Sequence, residues 1–253
     1  MIVLETIAVA FSMFSALPVP HLDWNEKNMR YALCAFPLIG AVVGGVSWLW
    51  ALLCQWLNLP PMLQGAGFCL LPVLITGGIH LDGYADTCDA RASHADLERK
   101  LEILKDSHMG AFAAIKLCCY FVASWALWAA LPVYRGFAFV LARCLSRSLS
   151  ALAVASFPMA KNTGLAHTFA TAADRKRVKI SMAVLAVVLS AALCLCGGIA
   201  MSVTAWIVFV CYRSMAVKEF GGITGDLAGW FVQTAELWML AALVINQYVE
   251  AML

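Results

Sequence analysis

Asp82, Asp86 and Asp89 stand at i, i+4 and i+7 within Gly77-Gly-Ile-His-Leu-Asp-Gly-Tyr-Ala-Asp-Thr-Cys-Asp-Ala-Arg91. At about 100° per residue these positions fall within a roughly 60° arc, so on a helix the three carboxylates share one face. Like charges that close repel, and the cost rises at a membrane boundary where water is scarce. A divalent cation removes the conflict. Hard oxygen ligands suit Mg²⁺ or Mn²⁺, which commonly hold substrate phosphates as well. The competing reading is a solvated acidic face at a helix end. Three Asp with no interleaved Lys, following a long apolar segment, speak against it.

Other stretches could join that chemistry. Lys218-Glu-Phe-Gly-Gly-Ile-Thr-Gly-Asp226 sets Gly221, Gly222 and Gly225 in a turn that feeds a helix N-terminus. Such a turn aims backbone N–H groups and the positive dipole end at an anion. Thr224 or Asp226 is also a natural cap for that helix, while a free Asp226 would be a further metal ligand. Arg143 and Arg147, at i and i+4, lie inside an apolar span. There an Arg costs at least about 2.5–3.5 kcal/mol and faces a polar cavity or a partner. A guanidinium pair on one face matches a diphosphate; pairing with mid-span Glu236 or with the Asp cluster is the equal alternative. Lys105 and Asp106 precede the next span, at the depth of the Asp cluster. Glu98, Glu102 and Asp106 repeat every four residues between Arg99, Lys100 and Lys105, which alone reads as a salt-bridged exposed face.

The elements that must position these residues are membrane helices. Of 253 residues, 63% are hydrophobic and only 13% charged, with mean hydropathy +0.83. Soluble domains carry about 25% charged residues, so the chain belongs in a bilayer. The expected fold is all-α: a single polytopic integral membrane domain over residues 1–253, with about seven transmembrane helices and an N-terminal interfacial or partly spanning helix. Spans are expected near 31–57, 63–80, 111–131, 136–157, 180–196, 203–217 and 227–249. Gly40-x-x-x-Gly44 in the first allows close helix packing. Residues 1–17 lack the basic start and A-x-A-type site of a secretory signal. Ten scattered cysteines show no C-x-x-C spacing; Cys118-Cys119 and Cys194-Leu-Cys196 read as packing residues.

Seven spans place the links near 21–30, 81–110, 158–179 and 213–226 on one side and those near 58–62, 132–135 and 197–202 on the other. The first set holds nearly all the Lys and Arg, and the second holds Arg135 alone. The positive-inside rule puts the first set in the cytoplasm. Every chemical motif falls on that face, although none was used to choose it. The composite is a cytoplasm-facing, metal-dependent site for a phosphorylated substrate.

These residues also carry a family resemblance. Gly78-Ile-His-Leu-Asp-Gly-Tyr-Ala-Asp-Thr-Cys-Asp89, Leu101-Glu-Ile-Leu-Lys-Asp-Ser-His-Met-Gly-Ala-Phe112 and Gly221-Gly-Ile-Thr-Gly-Asp226 resemble the signatures of the cobalamin synthases, adenosylcobinamide-GDP ribazoletransferases. Phe36-Pro-Leu-Ile-Gly40 and Leu17-Pro-Val-Pro20 are similar to that family's N-terminal motifs, so the likeness spans essentially the whole chain. The chain departs from the family pattern at Ala16, where many relatives carry a basic residue, at Arg91, where a small residue is common, and at Trp230, where Ala is usual.

The resemblance implies attack by the 5′-hydroxyl of α-ribazole, or of its 5′-phosphate, on the cobinamide-side phosphorus of adenosylcobinamide-GDP, with GMP leaving. It implies an enzyme of the bacterial cytoplasmic (inner) membrane. Its partners are those substrates and membrane lipids, with no nucleic acid, and homo-oligomer formation stays open. In that chemistry Asp82, Asp86 and Asp226 are expected to hold Mg²⁺ across the diphosphate, with Asp89 also within reach of the metal. Asp89 is expected as general base, with His80 as the alternative. Lys105, Arg143 and Arg147 are expected to neutralise phosphate charge, with Asp106 and the glycine-rich turn at the substrate. A CDP-alcohol phosphotransferase uses similar chemistry, but its Asp-Gly and Ala-Arg spacing differs. A cation-coupled transporter would place its carboxylates at span centres, and the sequence lacks the internal repeat expected of one.

Overall fold

The structure is a computed structural model that describes residues 2–20, 23–132, 134–161 and 163–253. His21, Leu22, Val133 and Asn162, which fall in the expected links, lie outside the described residues. Twelve helices are described: α1 (Ile2–Phe14), α2 (Glu26–Met29), α3 (Ala32–Trp56), α4 (Pro61–Thr76), α5 (Ile79–Ala92), α6 (Leu97–Ile103), α7 (Ala111–Ala130), α8 (Gly136–Ser156), α9 (Leu165–Ala172), α10 (Arg175–Leu195), α11 (Ile199–Phe220) and α12 (Gly225–Glu250). Six of them, α3, α7, α8, α10, α11 and α12, are long and apolar enough to cross a membrane, and the α4–α5 pair makes a seventh if counted as one broken span. The chain is a multi-pass, all-helical membrane protein. Outward-facing apolar residues such as Leu49, Leu74, Val122 and Val187 suit contact with lipid.

The expected span 63–80 is corrected by this structure. It is not one helix continuing toward the Asp cluster. α4 stops at Thr76, and Gly77 (φ 64°) and Gly78 (φ 78°) are both left-handed, a conformation that glycine adopts without Cβ strain. α5 then leaves at 98° to α4. At 1.5 Å per residue the 16 residues of α4 rise about 24 Å, short of a hydrocarbon core. α10 and α11 also begin earlier than expected. For α10 the reason is local: Asp174 caps it, its Oδ1 accepting from the Arg177 amide at 3.2 Å.

α8 runs through the middle of the bundle, buried along nearly its whole length, with α3 and α10 packed against it. Its close approach to α3 depends on Gly40 and Gly44. A Cβ on Gly44 would lie 2.6 Å from Val140 Cα, and one on Gly40 would collide with the Arg143 carbonyl. The small-xxx-small pattern thus serves packing. α5 crosses α12 in the same way, since a Cβ on Gly83 would lie 2.7 Å from the Asp226 carbonyl oxygen. Gly83→Val is therefore expected to force the two helices apart, costing about 1–3 kcal/mol. The check is a lowered melting temperature in detergent; an unchanged one would contradict the tight crossing.

The links sort into two ends, joined by direct contacts. At one end Ala160 N–H donates to the Ile223 carbonyl (3.0 Å) and Ile223 N–H to the Pro158 carbonyl (2.8 Å). There too Arg91 makes two 3.0 Å hydrogen bonds to Glu219, tying α5 to the C-terminal end of α11. At the other end Arg135 approaches the Cys196 carbonyl, and Tyr248 donates to the Ala130 carbonyl at 3.1 Å. The polar 81–110 excursion contains only the seven-residue α6 beyond α5, with loops on either side. Lys100 holds α6 on α11, 3.6 Å from Glu219 and over the Phe220 ring.

Candidate active site

A cavity of about 440 Å³ opens at the end that carries α5, the 157–164 segment and the 221–224 turn. Each contributes charge. α5 brings Asp82, the loop after α6 brings Lys105, the segment after α8 brings Lys161, and the first turn of α12 brings Asp226. The mutual hydrogen bonds of residues 158–160 and 223 set Lys161 beside Asp226. Gly222 makes that pairing possible, because a Cβ there would lie 2.7 Å from the Ala160 nitrogen. Burial draws the Lys161 ammonium below its ordinary pKa, and the Asp226 carboxylate opposes the shift.

Charge gives way to aromatic surface along the cavity wall. Asp82 and Lys105 are exposed, Lys161 and Asp226 half-buried, and His80, Phe36 and Phe169 buried. Phe14 packs on Phe36 (centroids 4.6 Å apart) and on Phe169 (5.5 Å), and His80 stacks on Phe36 at 5.5 Å.

Several expected site residues lie elsewhere. Arg143 and Arg147 do not line this cavity. Arg143 Nη1 donates to Glu236 Oε2 at 2.7 Å, Arg147 Nη1 pairs with Glu236 Oε1, and Ser146 Oγ donates to the same carboxylate at 2.9 Å. All three ionic groups are largely buried, so the carboxylate alternative is the one realised and the diphosphate reading of this pair is corrected. Asp89 lies away from the cavity too. It sits against Gly110, and its Oδ1 accepts from the Ala113 amide at 3.3 Å, covering the N-terminus of α7. The helix rise explains this. Seven residues at 1.5 Å separate Asp82 from Asp89 by about 10 Å along α5 even though both share one face. Asp86 lies between them, near the charges of Asp82, Asp226 and Asp89, without lining the cavity.

Asp106 is exposed and occupied by His108, whose backbone N–H and imidazole hold its carboxyl below the usual carboxylate range. Thr224 caps α12: its Oγ1 accepts from the Leu227 amide and donates to Asp226 Oδ2, both at 3.2 Å. Gly225 faces open space beside the cavity, whereas Gly221 ends α11 in a left-handed turn (φ 71°). Lys161 was not singled out by the sequence. Its signal was weak, a lysine among several in a basic loop, and only the pairing with residue 223 gives it a direction.

Among the described residues no group of three or more His, Cys, Asp or Glu side chains is gathered as a metal cage. The donor chemistry still suits Mg²⁺, which is usually bound by one or two carboxylates with water and substrate phosphate completing the shell. Asp82 and Asp226 supply two carboxylates on one cavity, and Asp82 has no hydrogen bond or ion pair to its side chain among the described residues.

Helical bundle, cavity and charges together define a polytopic membrane protein with an acid-and-base-lined pocket suited to a phosphorylated ligand. A family model described as cobalamin-5-phosphate synthase matches residues 6–244, and the chain belongs to that family. It is similar to an adenosylcobinamide-GDP ribazoletransferase of Lachnoclostridium phytofermentans, 43% identical over 96% of this chain and 95% of the relative. Proteins of the same name from Clostridium botulinum (strain Alaska E43) and Geobacillus sp. (strain WCH70) are 30% and 31% identical over 91% of this chain, and over 93% and 92% of their own lengths. No solved structure matches the chain. The Arg91 guanidinium lies over the Trp230 ring, 5.6 Å from its centroid. This cation–π contact ties α5 to α12.

Proposed function

We propose that the chain transfers adenosylcobinamide phosphate from adenosylcobinamide-GDP to α-ribazole or its 5′-phosphate, releasing GMP, on the cytoplasmic face of the bacterial inner membrane. The observation that carries this reading is the convergence of Asp82, Asp226, Lys105 and Lys161 on one cavity in a chain of this family. Basic links at that end of the bundle support the cytoplasmic orientation.

Phosphoryl transfer is catalysed by positioning and charge neutralisation more than by covalent chemistry. Asp82 and Asp226 would hold Mg²⁺, which when bound neutralises diphosphate charge. Thr224 orients Asp226 through its hydroxyl. Lys105 and, in place of the arginine pair, Lys161 bind non-bridging phosphate oxygens and stabilise the charge that builds on departing GMP. The half-buried setting of Lys161 strengthens its interaction with an anion. The Asp82 carboxylate, rather than the expected Asp89, would also receive the proton of the attacking hydroxyl.

The testing experiment is GMP release by detergent-purified protein given adenosylcobinamide-GDP, with and without α-ribazole, in Mg²⁺ and in EDTA. Release that requires both ribazole and metal is expected. No release from folded protein, with ribazole or its phosphate, would sink the reading. Lys161→Met is expected to lower kcat/KM for adenosylcobinamide-GDP by on the order of 10²-fold, mainly through the donor. Steady-state kinetics in varied donor check this, and a variant within about twofold of wild type would remove Lys161 from the site.

A further inference from the structure

We propose that Glu219 is a positioning residue for the reaction: by holding Arg91 of α5 and Lys100 of α6 together, it fixes where the phosphate-binding Lys105 stands relative to Asp82. The inference rests on the transferase reading above and adds to it what sets the spacing of the cavity's charges.

Asp82 and Lys105 stand on the two arms of one helix–loop–helix unit. Asp82 lies in the first turn of α5, and Lys105 follows the last turn of α6, its amide donating to the Glu102 carbonyl at 2.9 Å. Residues 93–96 join the arms, with His94 in the left-handed conformation (φ 49°) that residues other than glycine adopt at a cost. One carboxylate binds both arms. Glu219 accepts two 3.0 Å hydrogen bonds from Arg91, and Lys100 Nζ stands 3.6 Å from its Oε2.

The setting of each partner shows that this is more than surface pairing. The Lys100 side chain is 12% exposed, and a lysine so far withdrawn from water needs an anion. Glu219 lies in the last turn of α11, where the helix dipole disfavours an acid, so its place is explained by the two cations and not by its own helix. No residue of α6 is fully buried; Leu104, just past its end, is. Apolar contact of that kind has no direction and leaves the rotation of α6 open, whereas the pairing of Lys100 with Glu219 selects one. Lys105 has no ion pair or side-chain hydrogen bond of its own among the described residues, so its backbone decides where its ammonium reaches. Glu219 does not line the cavity and therefore acts through the arms it holds. The same end of α11 leads through Gly221 and Gly222 into the turn that carries Asp226, which gives the hairpin and that carboxylate a common support.

Hydrogen–deuterium exchange and kinetics of the full chain in detergent test the two halves of this proposal. Lys100→Met keeps an apolar stem on Phe220 and should speed amide exchange across residues 97–106 by about tenfold or more, as expected for removing one partner of a largely buried pair. Exchange in α8 should match wild type, which confirms that the variant is folded. In GMP release with varied adenosylcobinamide-GDP, the same variant should lose about 10–100-fold in kcat/KM, the cost of a misplaced charge, with KM for α-ribazole within about twofold of wild type. Glu219→Gln should behave alike, and Lys100→Arg, which keeps the cation, should recover most of the activity. In a Lys105→Met background, itself impaired, adding Lys100→Met should cost less than about twofold more, because the lysine it places is already gone. A contact that only stabilises the fold would give losses that multiply in the two backgrounds and a raised KM for both substrates. Unchanged exchange in Lys100→Met, multiplying losses, no recovery in Lys100→Arg, or a Lys105→Met protein as active as wild type would overturn the proposal. Faster exchange in Lys100→Met with no GMP release by wild type would instead overturn the transferase reading itself.

Discussion

Asp82→Asn is expected to lower kcat for GMP release by on the order of 10³-fold while the protein stays folded in detergent. The substitution preserves shape and removes one charge, and the lost carboxylate has no hydrogen-bonding or ion-pairing role in holding the bundle together among the described residues. Its neighbours give the control. Asp86→Asn touches a carboxylate near Asp82 and Asp226 that does not line the cavity, and Asp89→Asn one at the N-terminus of α7. Each should cost about tenfold or less, in keeping with outer groups that support a site without forming it. Asp89→Asn should also loosen the start of α7, where an anionic side chain near the helix N-terminus contributes about 0.3–1 kcal/mol. The measurement is kcat across a Mg²⁺ titration for the three variants. Equal losses at Asp82, Asp86 and Asp89 would mean that the whole acidic face acts at the reaction centre, contrary to the cavity's geometry.

Glu236→Leu is expected to be the most destabilising single change. It would leave the Arg143 and Arg147 guanidiniums, 7% and 1% exposed, without an anion inside the bundle. Breaking a buried pair costs about 3–5 kcal/mol, because the abandoned charge cannot recover its hydration. Here two are abandoned, and a bilayer offers no nearby water. Little folded protein should survive extraction. Replacing all three groups with apolar residues, Arg143→Met, Arg147→Leu and Glu236→Leu, removes the burial cost along with the attraction. That triple variant should melt near wild type or above it. Size-exclusion profiles and melting curves in one detergent compare the two. A Glu236→Leu protein as stable as wild type would show that water or lipid headgroups reach the arginines.

Much of this protein is decided locally. Helix spans follow from hydropathy, because a bilayer rewards about 20 apolar residues whatever their neighbours do. Clustering of Asp82, Asp86 and Asp89 on one face follows from the period of 3.6 residues, and the turn before α12 from its glycines. The sorting of links into two ends needs only the count of crossings, and the resemblance in three long motifs is itself a property of the linear chain. Other features depend on contacts between residues far apart. The fate of Arg143 and Arg147 depended on which face of α12 meets α8, and Glu236 lies 93 and 89 positions away from them. Lys161 became a cavity residue through the pairing of residues 158–160 with 223, two segments with no shared local pattern. Asp89 dropped out because a shared helical face says nothing about depth along the axis, and α7 reached it first. Local periodicity sets the direction in which a side chain points; helix rotation, crossing and tilt, settled by packing at glycines such as Gly40, Gly83 and Gly222, determine what it meets there.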